Sequence, residues 1–293
     1  MDLDAVTFRR IVPPAAIAVT FTLLFVAERL RPLRAAKRGL RRRLWVNGWM
    51  TAGAFAAGRL AVVPVALALA RWNQESGVGL LARVSLPFPA AMLAGVVLMD
   101  LTFYGWHRAN HRVGLLWRFH CAHHIDPDLD TTTSFRFHPG EVLYSTAFRA
   151  AQVTVLGVGP LTYVVFETVF QCGTVFHHSN VRLPLRLERW LNKVVVTPRM
   201  HGIHHSVVRR ETDSNYSTIF SWWDRLHRSL RLNVPQDKVT IGVPAYLEPG
   251  DNRVRSVLAM PLRRQRRYWR RTEGVRTSRA EDETQGPPSR LAP

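Results

Sequence analysis

Residues 88–111 read FPAAMLAGVVLMDLTFYGWHRANH, and the fold turns on this stretch. Its first 19 positions, Phe88 to Trp106, are apolar enough to form a membrane-crossing helix, for which about 20 residues suffice. The same helix runs unbroken into His107 and His111, which lie one turn apart on a single face. A span that delivers two imidazoles at its end predicts a metal site held rigidly at the membrane surface. Asp100 lies two turns below His107 on the same face. An unpaired carboxylate there would be costly, so Asp100 is the expected partner for the outer nitrogen of a metal-bound imidazole. The competing reading is an interfacial charge that reaches water.

Two more clusters follow, His120-Cys-Ala-His123-His124 and His201-Gly-Ile-His204-His205. On a helix, positions i, i+3 and i+4 project within about 100° of one another, so each cluster presents a convergent set of nitrogens. One HxxHH pattern arises by chance in about one of fifty chains of this histidine content, which makes two copies plus HxxxH a signal rather than an accident. The three clusters together hold 8 imidazoles, more than one ion needs, and predict two ions. A structural zinc site would use thiolates, and the chain has only Cys121 and Cys172. Cys121 sits inside the second cluster, where burial as a small apolar residue is the commoner role and ligation the alternative. Two cysteines give no disulfide framework and cannot hold an iron–sulfur cluster, which fits a reducing compartment. The surplus of nitrogen donors beside a bilayer, where substrates carry strong C–H bonds, favours iron over zinc, which has no redox chemistry.

The rest of the chain predicts an all-α integral membrane helical bundle of about four spanning or hairpin helices, with a histidine-rich helical cap on the cytoplasmic side. Net charge is +19 and mean hydropathy −0.06, a neutral average produced by very apolar runs and very basic loops cancelling. The run Ile11 to Ala27, with Pro13 and Pro14 near its start, reads as an anchor rather than a removed signal. Arg29, Arg31, Arg34, Lys37, Arg38, Arg41, Arg42 and Arg43 follow it, against Arg9 and Arg10 on its other side, which places the basic block in the cytoplasm. Anionic lipid headgroups suit these arginines better than nucleic acid, for which the chain has no recognisable module. The run Val46 to Ala70 carries Arg59 in its middle and predicts a tilted or broken span. Val142 to Phe176, interrupted by Gly157-Val-Gly-Pro160, predicts a helical hairpin that enters and leaves on one side. A metal site requires that topology, because an odd crossing would strand His201, His204 and His205 across the bilayer.

Between Phe103 and Leu226 the motifs resemble one family. They are Trp106-His107-Arg108 with His111, Trp117-Arg118-Phe119-His120 with His123-His124, Arg136-Phe137-His138-Pro139, His177-His178-Ser179-Asn180, Thr197-Pro198 with His201 and His204-His205, and Asp213-Ser214-Asn215-Tyr216. Together they resemble the fatty acid hydroxylase and sterol desaturase superfamily of membrane di-iron oxygenases. The family's asparagine-tyrosine pair is usually followed by glycine, and here by Ser217, which bears on the tightness of that turn. The resemblance implies a di-iron centre, dioxygen as cosubstrate, a lipid substrate, and electrons from a separate ferredoxin- or cytochrome-type carrier with its reductase. It implies metal ligation by His107, His111, His120, His123, His124, His201, His204 and His205, with His178 as a ninth. His177 and His178 diverge by about 100° on a helix, and the His-Ser-Asn signature selects His178. His138 precedes a proline and so tends to extended backbone, where it reads as a supporting or substrate-gating residue. Asp213 and Asn215 are candidates to support the third cluster or position a water, and Glu167 to pair with an arginine. Phe103, Tyr104, Trp106, Phe119 and Phe176 are candidates to line an acyl or sterol channel.

On this reading residues 1–45 form an anchor and basic loop, 46–262 the membrane di-iron hydroxylase domain, and 263–293 a basic tail, disordered beyond Thr277. Hydroxylation of a lipid C–H bond is the first reading and desaturation the second, the choice depending on placement finer than a motif encodes. A membrane zinc hydrolase would need a carboxylate base within a motif such as HExxH, which is missing here. A metal transporter or store would spread ligands through the depth of the spans. The basic face would steer an acidic electron carrier, so turnover at saturating lipid should fall as ionic strength rises. Salt-insensitive kinetics would remove the steering.

Overall fold

Helices carry most of residues 3–270, which the computed structural model describes, with side chains from residue 11 onward. Among the described residues there is no strand, only isolated bridges such as Pro32 to Val181 and Ser206 to Ile241. The order is α1 (Leu3–Leu30), α2 (Leu40–Ala57), α3 (Val63–Ser76), α4 (Phe88–Arg112), α5 (Gly114–His124), α6 (Pro139–Leu156), α7 (Pro160–His178), α8 (Leu185–Leu191), α9 (Pro198–His204), α10 (Arg209–Thr212), α11 (Trp222–Leu226) and α12 (Val254–Ala259). Three stretches are long and apolar enough to cross a membrane, Ile11–Leu30, Leu40–Arg83 and Phe88–Arg112. The expectations for Arg9 and Arg10 side chains, and for the tail beyond residue 270, lie outside the described residues.

The break expected around Arg59 is a π turn, Gly58–Val62, joining α2 to α3. Pro13 and Pro14 do not mark a start: α1 begins at Leu3, so both lie inside it. The hairpin forms as α6 and α7 around Gly157 at φ 71°. A side chain there would strike the Val78 carbonyl, 2.7 Å from the Cβ position, so glycine is required by both conformation and space. Asn73 of α3 donates to the Val153 and Val158 carbonyls at 2.8 and 3.3 Å, sealing the end of α6. Inside the hairpin Arg149 pairs with Glu167 at 2.9 Å, the partnership foreseen for that carboxylate.

The basic block departs from expectation. Rather than lying open to headgroups, several of its members turn inward onto Asp126, Asp128 and Asp130, just after α5. Arg38 pairs with Asp126 and, at 2.9 Å, with Asp128; Arg43 pairs with Asp130; the Lys37 backbone donates to Asp128 at 2.5 Å. Fully buried Arg136 donates to Asn47 and Asn252 at 2.8 Å each and to the Ala122 carbonyl at 3.1 Å, with Asp126 3.6 Å away. Glu28, at the end of α1, accepts from the Thr131 backbone at 3.1 Å and the Asn180 backbone at 2.7 Å. Burial alone would raise the Asp126 pKa, yet Arg136 and Arg38 hold it below the usual carboxylate range. This network ties the ends of α1, α2, α5 and α7 together. Replacing Asp126 by alanine should leave buried Arg136 without a carboxylate and Arg38 with Asp128 alone, at a cost of about 3–5 kcal/mol, and lower the thermal midpoint of the purified protein by on the order of 10 °C. An unchanged midpoint would show that the network contributes nothing to stability.

Candidate metal centre

The histidines converge in two groups, each with its nitrogens within 4.8 Å of one another: His107, His111, His120, His124 and His204 in one, and His123, His178, His201 and His205 in the other. Helix geometry explains the division. In α5, His120 and His124 stand four residues apart and enter the first group, while His123 turns to the second. The third cluster reverses the assignment, His201 and His205 entering the second group and His204 the first. Helix α4 then completes the first group with His107 and His111, and α7 completes the second with His178. The groups adjoin, with the His124 and His205 rings stacked at 4.2 Å.

The outer nitrogens are held by fixed acceptors. Nδ1 of His107 donates to the Tyr216 carbonyl at 2.7 Å, Nδ1 of His204 to the Ser214 carbonyl at 2.6 Å, and Nδ1 of His177 to the Thr218 carbonyl at 3.0 Å. The carbonyls of residues 214, 216 and 218 thus form a rail along one irregular segment, which turns at left-handed Asn215. Nδ1 of His178 donates to the Thr174 carbonyl at 2.8 Å, and Nδ1 of His120 donates to Glu141 Oε1 at 2.8 Å. These bonds fix the tautomers and leave Nε2 lone pairs facing inward. Nε2 of His120, His124 and His204 and both nitrogens of His111 are buried with no partner in the protein. In the second group Nε2 of His178 lies 3.0 Å from Nε2 of His123 and of His201, and His201 lies 3.1 Å from His205. Metal–imidazole bonds of about 2.1 Å place cis nitrogens about 3.0 Å apart on an octahedron, so this spacing suits a metal ion. Burial, reinforced by neighbouring imidazoles, holds His123, His124, His201 and His205 well below the usual histidine pKa, and burial lowers His204 to about 3. At neutral pH they are uncharged donors.

Several expected supports take other roles. Asp100 does not pair with an imidazole. Its carboxylate accepts from the Ile219 backbone at 3.1 Å, the Phe220 backbone at 2.9 Å and the Trp223 indole at 2.7 Å, because these donors reach it before any outer nitrogen does. It braces the carbonyl rail rather than a ligand. His138 lies outside both metal groups: its Nδ1 accepts from the Gly140 backbone at 3.0 Å and its Nε2 lies 3.0 Å from the Leu258 carbonyl, making it the cap of α6. Asn215, at φ 53°, donates to the Met200 and Arg231 carbonyls at 2.9 and 2.7 Å, which ties the rail to α9. That left-handed residue precedes the Tyr216-Ser217 step, so Ser217 needs no glycine-like backbone. Asp213 approaches His111 only to 3.9 Å. Cys121 packs with Val46, Met50 and Ile125, outside both groups. His177 also stays outside them. Phe103, expected to line a channel, packs against Phe148 and Phe170 at 6.3 and 4.5 Å, and Trp106 stacks on Phe148 at 4.5 Å, forming an aromatic wall beside α4.

Sequence reasoning missed Glu141 and Asp224. Glu141 had a signal, an acidic residue in the first helical turn after His138-Pro139. Asp224 accepts from the Tyr216 and Ser217 backbones at 2.9 Å each and fixes the middle of the rail. Phe137 stacks on His123 at 4.5 Å, which gives the Arg136-Phe137-His138-Pro139 motif a second structural purpose.

Residues 92–229 match the profile of the family described as fatty acid hydroxylase. An ornithine lipid hydroxylase of Rhizobium tropici is 29% identical over 168 residues, covering 56% of this chain and 49% of the relative. Human cholesterol 25-hydroxylase is 30% identical over 142 residues, covering 46% and 49%. Human alkylglycerol monooxygenase is 26% identical over 148 residues, covering 50% and 31%. The chain thus spans about half the length, or less, of these curated relatives. No solved structure matches.

Outer hydrogen-bond partners of ligating histidines typically contribute 10- to 100-fold to metal affinity. Glu141→Ala should therefore lower metal retained per chain after dialysis against a chelator by about that factor, and Glu141→Gln, which still accepts from His120, should lose less. Equal retention in parent and both variants would show that His120 needs no carboxylate behind it.

Proposed function

We propose, from the match of residues 92–229 to the fatty acid hydroxylase family, that this chain is a multi-pass membrane oxygenase that hydroxylates an unactivated C–H bond of a lipid. The observation that carries the reading is the pair of buried histidine groups: Nε2 of His111, His120, His124 and His204 in the first has no partner in the protein, and the Nε2 atoms of the second meet one another at 3.0–3.1 Å. His107, His111, His120, His124 and His204 hold one iron, and His123, His178, His201 and His205 the other. Two irons bound there would supply the reduction of dioxygen, with electrons from a separate ferredoxin- or cytochrome-type carrier and its reductase, and the oxidising power needed at carbon.

The chain's own residues do the rest. Glu141 and the carbonyls of Tyr216, Ser214 and Thr174 fix the tautomers of His120, His107, His204 and His178. Asp100, Asp224 and Asn215 hold the segment that presents those carbonyls. Burial of the rings keeps bulk water away and the imidazoles neutral. The aromatic wall of Phe103, Trp106, Phe148 and Phe170 offers an apolar approach for a lipid chain beside α4. The site faces the cytoplasm, on the side of the basic loop after α1. Three relatives named for hydroxylation or monooxygenation support hydroxylation over desaturation. Glu141 supports an oxygenase over a zinc hydrolase, since it engages the outer nitrogen of His120 rather than standing free as a base.

The purified chain should contain two irons and convert a lipid to its alcohol only when oxygen and reductant are present. His204→Ala should abolish turnover and reduce iron content. Zinc with oxygen-independent hydrolysis would overturn the proposal, and full activity in His204→Ala would overturn the ligand assignment.

A further inference from the structure

Arg42, Trp45 and Val46 on the opening turns of α2, with Asn252, Arg253, Val254 and Arg255 from the start of α12, enclose an open cleft of about 580 Å³. Three guanidinium groups line it and no carboxylate does. Asp251, the adjacent acid in the chain, is engaged by both terminal nitrogens of Arg266 at 2.8 and 2.9 Å. The Arg42 guanidinium is steadied by donation to the Pro249 carbonyl at 2.7 Å. Unlike Arg38 and Arg43, which the aspartates after α5 neutralise, these arginines keep their charge for an outside partner.

The depth of the cleft is marked by its neighbours. Trp45 and Trp49 lie one turn apart on the outer face of a helix apolar enough to cross a membrane, 63% and 55% exposed, with their rings edge-on at 5.7 Å. Exposed indoles on a span collect at the boundary between hydrocarbon and headgroups. Arg42 stands about one turn beyond Trp45 toward the helix start, at the level where lipid phosphates lie. Guanidinium groups bind phosphate through paired N–H donors, and three of them around one cleft match an anionic headgroup better than a zwitterionic one.

We propose that this cleft binds the phosphate of an anionic membrane phospholipid, with Arg42, Arg253 and Arg255 around the headgroup and Trp45 beside its glycerol region. The occupant is a membrane lipid rather than a soluble phosphate, because the indoles on the cleft's membrane side provide an apolar seat that a soluble ion would not use. The site is separate from the histidine groups and does not depend on which metal they hold.

The full chain, purified in detergent, is tested by its thermal midpoint in mixed micelles with phosphatidylglycerol or phosphatidylcholine. Phosphatidylglycerol should raise the midpoint by about 5 °C more than phosphatidylcholine. The combined variant Arg42→Gln, Arg253→Gln, Arg255→Gln should lose that difference, whereas exposed arginines elsewhere, replaced as Arg71→Gln, Arg83→Gln, Arg186→Gln, should retain it. If the combined variant does not fold, Arg253→Gln and Arg255→Gln singly should each release phosphatidylglycerol counted by native mass spectrometry. Equal responses to the two lipids in the parent, or retention of bound phosphatidylglycerol by the variants, would overturn the proposal. A full shift from inorganic phosphate alone would reassign the cleft to soluble anions. Loss of turnover with an acidic electron carrier, while the phosphatidylglycerol response persists, would make it a carrier-docking surface instead.

Discussion

Nine imidazoles buried together, with their nitrogens pointing inward, impose the constraint on which the remaining structure depends. Each ring has two nitrogens, and burying an unmatched one costs about 1–3 kcal/mol. The inward nitrogens suit metal; for several rings the outer ones are matched by the protein. Side chains alone would not suffice, since each carboxylate so close to the others would carry its own desolvation cost. The chain uses one carboxylate, Glu141, and otherwise draws on main-chain carbonyls, which are neutral and rigid. The irregular segment 214–218, turned at left-handed Asn215, presents its carbonyls to His204, His107 and His177 in succession.

A rail of carbonyls is only as exact as its anchoring. Its backbone N–H groups, pointing the other way, are taken by Asp224 at positions 216 and 217 and by Asp100 at 219 and 220. Asp100 comes from the same helix that carries His107 and His111, so α4 fixes both the ligands and the segment that orients one of them. On the opposite flank Arg136 grips the Ala122 carbonyl within α5, and the aspartates after α5 bind the basic loop. Helices α4 and α5 are thereby held where their histidines project. The buried charges belong to that locking. Against well-packed apolar groups, such pairs add little stability but fix one arrangement.

Much of this was legible in sequence wherever the signal was local. The histidine spacings, the apolar run into His107, the Gly157–Pro160 break and the preference for His178 over His177 each depend on residues within a turn or two of one another, and helical period converts such spacing directly into facing. What could not be read were partnerships across the chain. Asp100 was assigned to an imidazole because its true donors, the backbones of Ile219 and Phe220, carry no side-chain signature. The basic block was assigned to lipid because charge counting sees arginines but not the aspartates, about 90 residues away, that neutralise Arg38 and Arg43. His138 looked chemical because it is a histidine, yet it serves as a helix cap through Nδ1, a role that aspartate or serine usually fills.

The repeated HxxHH spacing bears on the number of metal ions independently of any relative. Residues i and i+4 on a helix face nearly the same way, while i+3 is turned by tens of degrees to one side. A single ion would strain one member of each cluster. Two adjacent ions relieve both clusters if each helix gives its i, i+4 pair to one and its i+3 residue to the other. With α5 and α9 making opposite choices, each group receives three histidines from these two clusters. The shortfall in each group is then made up from a different helix, by His107 and His111 of α4 in one and by His178 of α7 in the other. The pattern in α5 and α9 thus divides the histidines between two adjacent groups, as helix geometry alone requires of the i, i+3, i+4 spacing.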